Sequence, residues 1–222
     1  MNFEQRLITS IIPKNKDEFI LNVADCKTKI IEHRLDGLID PKNFQINYHD
    51  YNFDFLVTLR PLNPKASNYL TETERIQFLK HAIDNGAKMV DIEIETSKNL
   101  VDELLHYAHE KQITSIISYH NYIETPDKQV LEKIVQKMIK TGANIVKCVT
   151  TAKDYTDGHK MIDIQIKWSS KVMAFAMGSF GSYSRILSLL HNAPYAYVPL
   201  TKKTAPGQLS IDDFKKVFTM LA

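Results

Sequence analysis

The sequence contains few cysteines, and neither of them forms a recognisable site. Cys26 and Cys148 are the only two, and they lie far apart, outside any Cys-x-x-Cys or Cys/His cluster. A disulfide framework needs several cysteines and a zinc site needs clustered ligands, so the sequence supports neither. We interpret both cysteines as small buried apolar residues. No other motif requires a metal, a nucleotide or a flavin, and we expect no cofactor.

The sequence also lacks a long hydrophobic run and a block of charge of one sign. No stretch approaches the ~18 consecutive apolar residues of a membrane-spanning helix, and the first 19 residues do not have the composition of a leader peptide. The 28 Lys and Arg residues nearly balance the 26 Asp and Glu residues, so neither nucleic acid nor a membrane surface is indicated as a partner. These features predict a cytoplasmic protein.

No low-complexity segment and no linker rich in Gly, Pro or Ser divides the chain. Its 222 residues are 44% hydrophobic and 24% charged, which is the composition of a globular protein long enough to bury one large core. We therefore predict a single domain over residues 1–222.

Short apolar runs alternate with longer stretches that have helical spacing. The predicted strands are 7–12, 29–36, 53–60, 88–94, 113–120, 143–150, 171–178 and 195–200, and the predicted helices are 15–25, 71–85, 98–111, 127–141, 153–169, 182–191 and 210–221. Residues 37–52 predict only a short or irregular helix. This order favours a parallel (β/α)8 TIM barrel, with a doubly wound open sheet as the alternative.

Charged residues lie near the ends of seven successive predicted strands, where barrels carry their chemistry. They are Glu32, Arg34, Arg60, Asp91, Glu93, His120, Lys147 and Arg185, followed by the segment TAPGQ (204–208) after the last strand. Each residue alone is more often solvated, paired or structural. Parallel barrel strands are otherwise filled with Val, Ile and Leu, so the whole set indicates one active site.

Lys147 interrupts the apolar run ANIVKCVT (143–150). If the strand is buried, the pKa of the lysine falls and its amine becomes a nucleophile; if it is an edge strand, Lys147 points into solvent. These eight residues leave both interpretations open. An amine of lowered pKa condenses with a ketone to an imine, and His120 would move the proton that the imine acidifies. The set therefore predicts an imine-forming lyase or aldolase, without choosing a substrate.

Seven segments in order resemble the type I 3-dehydroquinate dehydratases, lyases of the shikimate pathway. They are IEHRLD (31–36), TLR (58–60), DIE (91–93), SYHNYIETP (118–126), IVKCV (145–149), MGSFGSYSR (177–185) and TAPGQ (204–208). The S-x-H…T-P segment and APGQ are the specific ones. The resemblance covers nearly the whole chain, and it implies a lyase that takes the small molecule 3-dehydroquinate to 3-dehydroshikimate in aromatic amino acid synthesis. It also allows a homodimer.

The resemblance implies a role for each matching residue. Lys147 would form the imine with the substrate ketone, and His120 would remove the C2 proton, protonate the departing C1 hydroxyl and assist imine formation and hydrolysis. The residues implied to bind the substrate carboxylate are Arg185, Thr204 and Gln208. Those implied to bind its hydroxyl side are Glu32, Arg34 and Arg60, and Ser10 is a further candidate for that side. A structural Ser10 bonded to backbone is an equal alternative.

The sequence departs from the family after the third strand. Many members have a longer loop there with a glutamate that orients the histidine, whereas the loop RPLNPKASNY (60–69) contains no acid. We take Glu93 as the candidate to orient His120, with a structural ion pair as the alternative. Position 204 is Thr where Ser is more familiar, which keeps the hydroxyl.

Two other functions remain open from the residues. A class I aldolase or transaldolase-like barrel would also use a lysine on strand six, and GSFGS (178–182) would then cradle a phosphate. Arg185 and APGQ suit a carboxylate better. A barrel that binds a ligand without catalysis is the third candidate, because the loop glutamate is missing.

Overall fold

Eight parallel strands form the centre of the protein in a computed structural model that describes residues 3–66, 68–200 and 207–221. They are β1 (Leu7–Ile11), β2 (Ile30–Arg34), β3 (Asp54–Thr58), β4 (Met89–Glu93), β5 (Thr114–His120), β6 (Ile145–Thr151), β7 (Val172–Met177) and β8 (Ala196–Pro199). Strands β1 to β7 pair in chain order, and β1 also pairs with β8. This is a nearly closed (β/α)8 barrel, so that prediction is confirmed. The doubly wound sheet is wrong, because its strand order would reverse near the middle.

The helices on the outside of the barrel also follow the prediction, within two residues at each end. The described ranges contain α1 (Lys16–Asp25), α2 (Glu72–Asp84), α3 (Lys98–Glu110), α4 (Lys128–Ile139), α5 (Tyr155–Trp168), α6 (Ser182–Leu190) and α7 (Ile211–Met220). Capping boxes begin α2 at Thr71 and α7 at Ser210, and each cap contributes about 1 kcal/mol. None of the helices described is long and apolar enough to cross a membrane.

Between β2 and β3 the structure has three short 3-10 turns instead of an α-helix, as the weak helical pattern predicted. They are Leu35–Gly37, Pro41–Asn43 and Tyr48–Asp50. An aromatic cluster covers the barrel here: the ring of Tyr48 lies 4.8 Å from that of Phe55 on β3, which lies 5.8 Å from Phe19 on α1. Large rings thus bury the apolar surface that a helix would otherwise cover.

His33 on β2 lies inside this aromatic cluster, and its burial is expected to make the stability of the fold depend on pH. Its Nδ1 lies 2.8 Å from the Tyr48 hydroxyl, and burial lowers the pKa of the imidazole from 6.5 to about 3. Below pH 6.5 His33 therefore binds a proton in the unfolded chain but stays neutral in the folded chain. The free energy of unfolding thus falls as pH falls toward 3. We expect wild type to lose about 1.5 kcal/mol more than His33→Phe between pH 6.5 and 5. Urea melts at the two pH values check this; equal losses in both proteins would contradict it.

The barrel interior begins with an apolar layer to which every strand contributes one residue of a single buried cluster. These residues are Ile8, Ile30, Leu56, Met89, Ile116, Ile145, Met173 and Tyr197. Side chains on a strand alternate between its two faces, so the residue two positions further along each strand also points inward. The next layers toward the carboxyl ends of the strands are therefore fixed by the sequence; they are polar on β1 to β5 and at Lys147, and apolar at Val149, Phe175 and Met177.

Candidate active site

Two polar layers lie above the apolar floor of the barrel. In the first, each residue lies two positions after a floor residue on the same strand; it contains Ser10, Glu32, Thr58, Asp91, Ser118 and Lys147. In the second, each residue lies two positions further along the chain; it contains Arg34, Arg60, Glu93 and His120. The period of the strands thus brings the charged residues predicted from sequence to one end of the barrel.

A cavity opens at this end. Its wall consists of Ser10, Glu32, Arg34, Arg60, His120, Tyr122, Lys147, Val149, Phe175, Met177, Arg185, Tyr197 and Gln208. Eight of the residues predicted for the site are among them. Glu93 lies beside the cavity, against Arg60, and Thr204 lies outside the described residues.

Lys147 is buried, with 5% of its surface exposed, so the interpretation as a solvent-facing edge residue is wrong. Its Nζ lies 3.3 Å from Asp91 Oδ2, 3.9 Å from Glu32 Oε1 and 4.1 Å from the ring centroid of Tyr197. Burial lowers the pKa of the Lys147 amine from its ordinary 10.5, and the two carboxylates oppose that shift. The amine is therefore easier to deprotonate than a surface lysine.

Asp91 joins the lysine to the arginine of the second layer. It accepts hydrogen bonds from the Ser118 hydroxyl at 2.5 Å, from Arg60 at 3.0 Å and from Lys147 at 3.3 Å. Burial would raise the pKa of this carboxyl, but the cations of Arg60 and Lys147 outweigh it and hold the pKa below its usual range. Asp91 therefore stays ionised and fixes both cations in the barrel.

Glu32 is fixed by two hydroxyl groups on the neighbouring strands. Ser10 donates to its Oε2 at 2.5 Å, and Thr58 donates to its Oε1 at 3.0 Å. Ser10 is thus bonded to a carboxylate in the cavity wall, rather than to backbone as the structural alternative supposed. The side chain of Arg34 is held in a fork by Asp36, at 2.8 and 2.7 Å. These hydrogen bonds hold the acceptors and donors of the cavity wall in fixed orientations.

His120 lies at the mouth of the cavity, at the end of β5. Burial, with the cations of Arg60 and Lys147, holds the pKa of its imidazole well below 6.5. The ring is neutral at pH 7 and can accept a proton. Tyr122 lies parallel to it, with the ring centroids 5.8 Å apart at 10°.

Glu93 lies beside His120 without bonding to it. Its Oε1 is 3.9 Å from His120 Nδ1 and 3.3 Å from Arg60, and its Oε2 is 3.8 Å from Arg75 on α2. The buried Nδ1 of His120 has no hydrogen-bond partner in the described part of the chain. Glu93 is thus positioned near the nitrogen that an orienting carboxylate would contact, and it also forms the ion pairs of the structural alternative.

The side of the cavity opposite the carboxylates is formed by Arg185 and Gln208. Both are buried, and the Arg185 guanidinium lies 4.5 Å from the ring centroid of Phe175. Burial lowers the pKa of Arg185 to about 10, so it remains a cation at pH 7. Gly207, at φ +74°, packs so closely on Gly178 that a Cβ would collide with the Gly178 carbonyl oxygen. This contact holds Gln208 in the wall of the cavity.

The sequence placed Asp91 among the charged strand-end residues without giving it a role, and it did not identify Tyr197 as a site residue. Asp91 had the same signal as Lys147, a charge inside an apolar strand, but its partner depends on how the strands are staggered across the barrel. Tyr197 had no signal, because an aromatic residue in a strand is usually part of the core. Within residues 3–66, 68–200 and 207–221, no group of three or more His, Cys, Asp or Glu side chains is arranged to hold a metal ion.

Comparison with known proteins gives one consistent result. The family model described as type I 3-dehydroquinase matches residues 8–222. The 3-dehydroquinate dehydratase of Pyrococcus abyssi is 30% identical over 215 residues, which cover 97% of this chain and 98% of that protein. The enzyme of the same name from Methanococcus maripaludis strain C7 is 33% identical over 195 residues, covering 86% and 88%.

Solved structures show the same fold. The crystal structure of a type I 3-dehydroquinate dehydratase from Clostridium difficile, with covalently modified comenic acid, has a TM-score of 0.86 at 20% identity and covers 98% of this chain and 92% of that one. The 3-dehydroquinate dehydratase of Geobacillus kaustophilus has a TM-score of 0.84 at 18% identity, covering 98% and 91%.

Proposed function

The chain belongs to the type I 3-dehydroquinase family, and from this premise we propose that it dehydrates 3-dehydroquinate to 3-dehydroshikimate through an imine on Lys147. The observation that supports this most is a buried lysine that shares one cavity with a largely enclosed histidine, each with its pKa lowered by burial. A nucleophilic amine and a neutral base are the two groups that the reaction needs. The reaction places the enzyme in the shikimate pathway.

The cavity has two chemically different sides for the substrate. Arg185 and Gln208 offer a cation and an amide on one side, which suit the carboxylate at C1. Glu32, Arg34 and Arg60 offer acceptors and donors on the other, which suit the ring hydroxyl groups. Ser10, already bonded to Glu32, extends this hydroxyl side. We propose that these contacts place the ketone at Lys147.

Imine formation is the first chemical step. The neutral amine of Lys147 attacks the ketone carbon, a carbon–nitrogen bond forms, and the ketone oxygen leaves as water. The protonated imine then draws electrons from the adjacent C2–H bond and acidifies it. Asp91, 3.3 Å from the nitrogen, stabilises the positive charge of the imine.

His120 would carry the protons of the following steps. As a neutral base it takes the C2 proton, and the resulting enamine expels the C1 hydroxyl, which leaves as water with the proton that His120 returns. Water then hydrolyses the conjugated imine and frees Lys147. We propose that Glu93 orients the imidazole by closing the 3.9 Å gap to Nδ1, which replaces the missing loop glutamate.

Substitution of Gln208, in the loop after β8, is expected to weaken substrate binding more than it slows the chemical step. Gln208→Ala removes an amide from the cavity wall, and a carboxylate contact that is equal in ground and transition states contributes uniform binding. We expect KM for 3-dehydroquinate to rise about tenfold with kcat within a factor of about three. Gln165→Ala, which removes a buried amide remote from the cavity, serves as the control for general loss of structure. Unchanged KM in Gln208→Ala would contradict the predicted contact.

Turnover assays separate the proposed function from the two alternatives. The purified protein is given 3-dehydroquinate, and the conjugated product is followed by its ultraviolet absorbance; parallel samples contain phosphosugar substrates of class I aldolases and transaldolases. We expect turnover of 3-dehydroquinate alone. Cleavage of a phosphosugar would support the aldolase alternative, and binding of 3-dehydroquinate without turnover would support the non-catalytic barrel.

A further inference from the structure

Tyr197 is a buried residue of the cavity wall that the proposed mechanism does not use. It lies on β8 with 5% of its surface exposed, opposite Ile8 of β1 in the sheet. Its ring belongs to the apolar floor of the barrel and also lines the cavity. The centroid of the ring is 4.1 Å from Lys147 Nζ, with the nitrogen over the ring face.

A cation over the face of an aromatic ring is attracted by the negative charge distribution of that face. The attraction is strongest where water is excluded, and Lys147 and Tyr197 are both buried. The nitrogen is therefore bounded by the carboxylate of Asp91 at 3.3 Å and by the ring of Tyr197 at 4.1 Å. The same attraction acts on a protonated imine at this nitrogen.

The hydroxyl of Tyr197 does not explain this arrangement. It is buried and has no hydrogen-bond partner in the part of the chain that the structure describes. Burial raises the pKa of the phenol well above 10, and the nearby carboxylates Glu32 and Asp91 add to the shift. The hydroxyl thus stays protonated and neutral at every pH of interest, and the ring face is the part of Tyr197 that contacts Lys147.

We propose that Tyr197 is a positioning residue that holds the nitrogen of Lys147 over its ring face and stabilises the charged amine and the protonated imine. The proposal rests on the proposed function of Lys147. It predicts that loss of the ring lowers the pKa of the amine. It also predicts slower proton abstraction, because a smaller fraction of the imine is then protonated.

The test uses two variants at position 197 and one control. Tyr197→Phe keeps the ring and removes the hydroxyl, whereas Tyr197→Leu removes the ring. Phe175→Leu removes a different ring from the same cavity wall, the one under Arg185. The reactivity of the Lys147 amine is measured directly, as the rate of its modification by methyl acetimidate against pH, followed on the Lys147 peptide by mass spectrometry. This probe reacts with neutral amines and needs no turnover.

We expect the midpoint of Lys147 modification to fall by about one pH unit in Tyr197→Leu and to stay in place in Tyr197→Phe and Phe175→Leu. Turnover should fall about tenfold in Tyr197→Leu and remain within about twofold in Tyr197→Phe. Phe175→Leu should raise KM instead, because it disturbs Arg185.

Three results would overturn the proposal: an unmoved midpoint in Tyr197→Leu, a midpoint that rises, or a tenfold loss of turnover in Tyr197→Phe, which would transfer the role to the hydroxyl. A wild-type protein that does not turn over 3-dehydroquinate would instead reject the proposed function. The modification midpoints would still decide whether the ring acts on the amine, so the two failures are distinguishable.

Discussion

Lys147→Ala is expected to abolish covalent trapping of 3-dehydroquinate by borohydride and to lower turnover by several orders of magnitude. The expected loss is this large because the variant has no amine at the ketone and must eliminate water without an imine to acidify C2. Turnover is measured by product absorbance, and the adduct by intact-protein mass.

Lys147→Arg separates the loss of the imine from the loss of a buried charge. Arginine keeps a cation beside Asp91 and Glu32, but its guanidinium does not form an imine with a ketone. We expect both variants to be inactive, and Lys147→Arg to retain more of the wild-type stability because it keeps a cation beside Asp91 and Glu32. Substantial turnover in Lys147→Arg would mean that the lysine acts only through its charge.

His120→Ala is expected to lower kcat by ~10²- to 10⁴-fold or more, since general acid/base catalysis contributes about that range and the residue serves several steps. The variant keeps Lys147, so borohydride should still trap substrate on it. This combination of lost turnover and retained adduct is not expected from a misfolded protein.

The pH dependence of the wild-type enzyme provides a second measurement on His120. The imidazole acts as a base only when neutral, and its pKa is held well below 6.5. Loss of kcat/KM, which reports the free enzyme, should therefore begin through this group only well below pH 6.5, as pH falls through the lowered pKa. Near wild-type turnover in His120→Ala would assign the base to another residue.

Local signals in the sequence predicted most of the fold. Apolar runs of strand length, and the stretches of helical spacing between them, are properties of a few consecutive residues. The period of two along parallel strands then places Lys147 and His120 at one end of the barrel. For this reason it was predictable, before any contact was known, that Lys147 and His120 lie in one cavity.

Contacts that depend on the packing of distant strands were not predictable. Asp91 meets Lys147 only because β4 and β6 are staggered so that the two side chains reach the same level of the barrel. The ring of Tyr197 contacts the same nitrogen, and its sequence context is that of an ordinary core residue. The distance of 3.9 Å between Glu93 and His120 likewise depends on how Arg60 and Arg75 hold the carboxylate.

The imine mechanism depends most on the identity of the residue that bonds to the substrate. The protein is incubated with 3-dehydroquinate, reduced with borohydride and digested, and the modified peptide is located by mass spectrometry. We predict one adduct per chain on Lys147, absent from Lys147→Arg and present in His120→Ala. An adduct on another lysine, or turnover of 3-dehydroquinate without any adduct under these conditions, would contradict the imine mechanism.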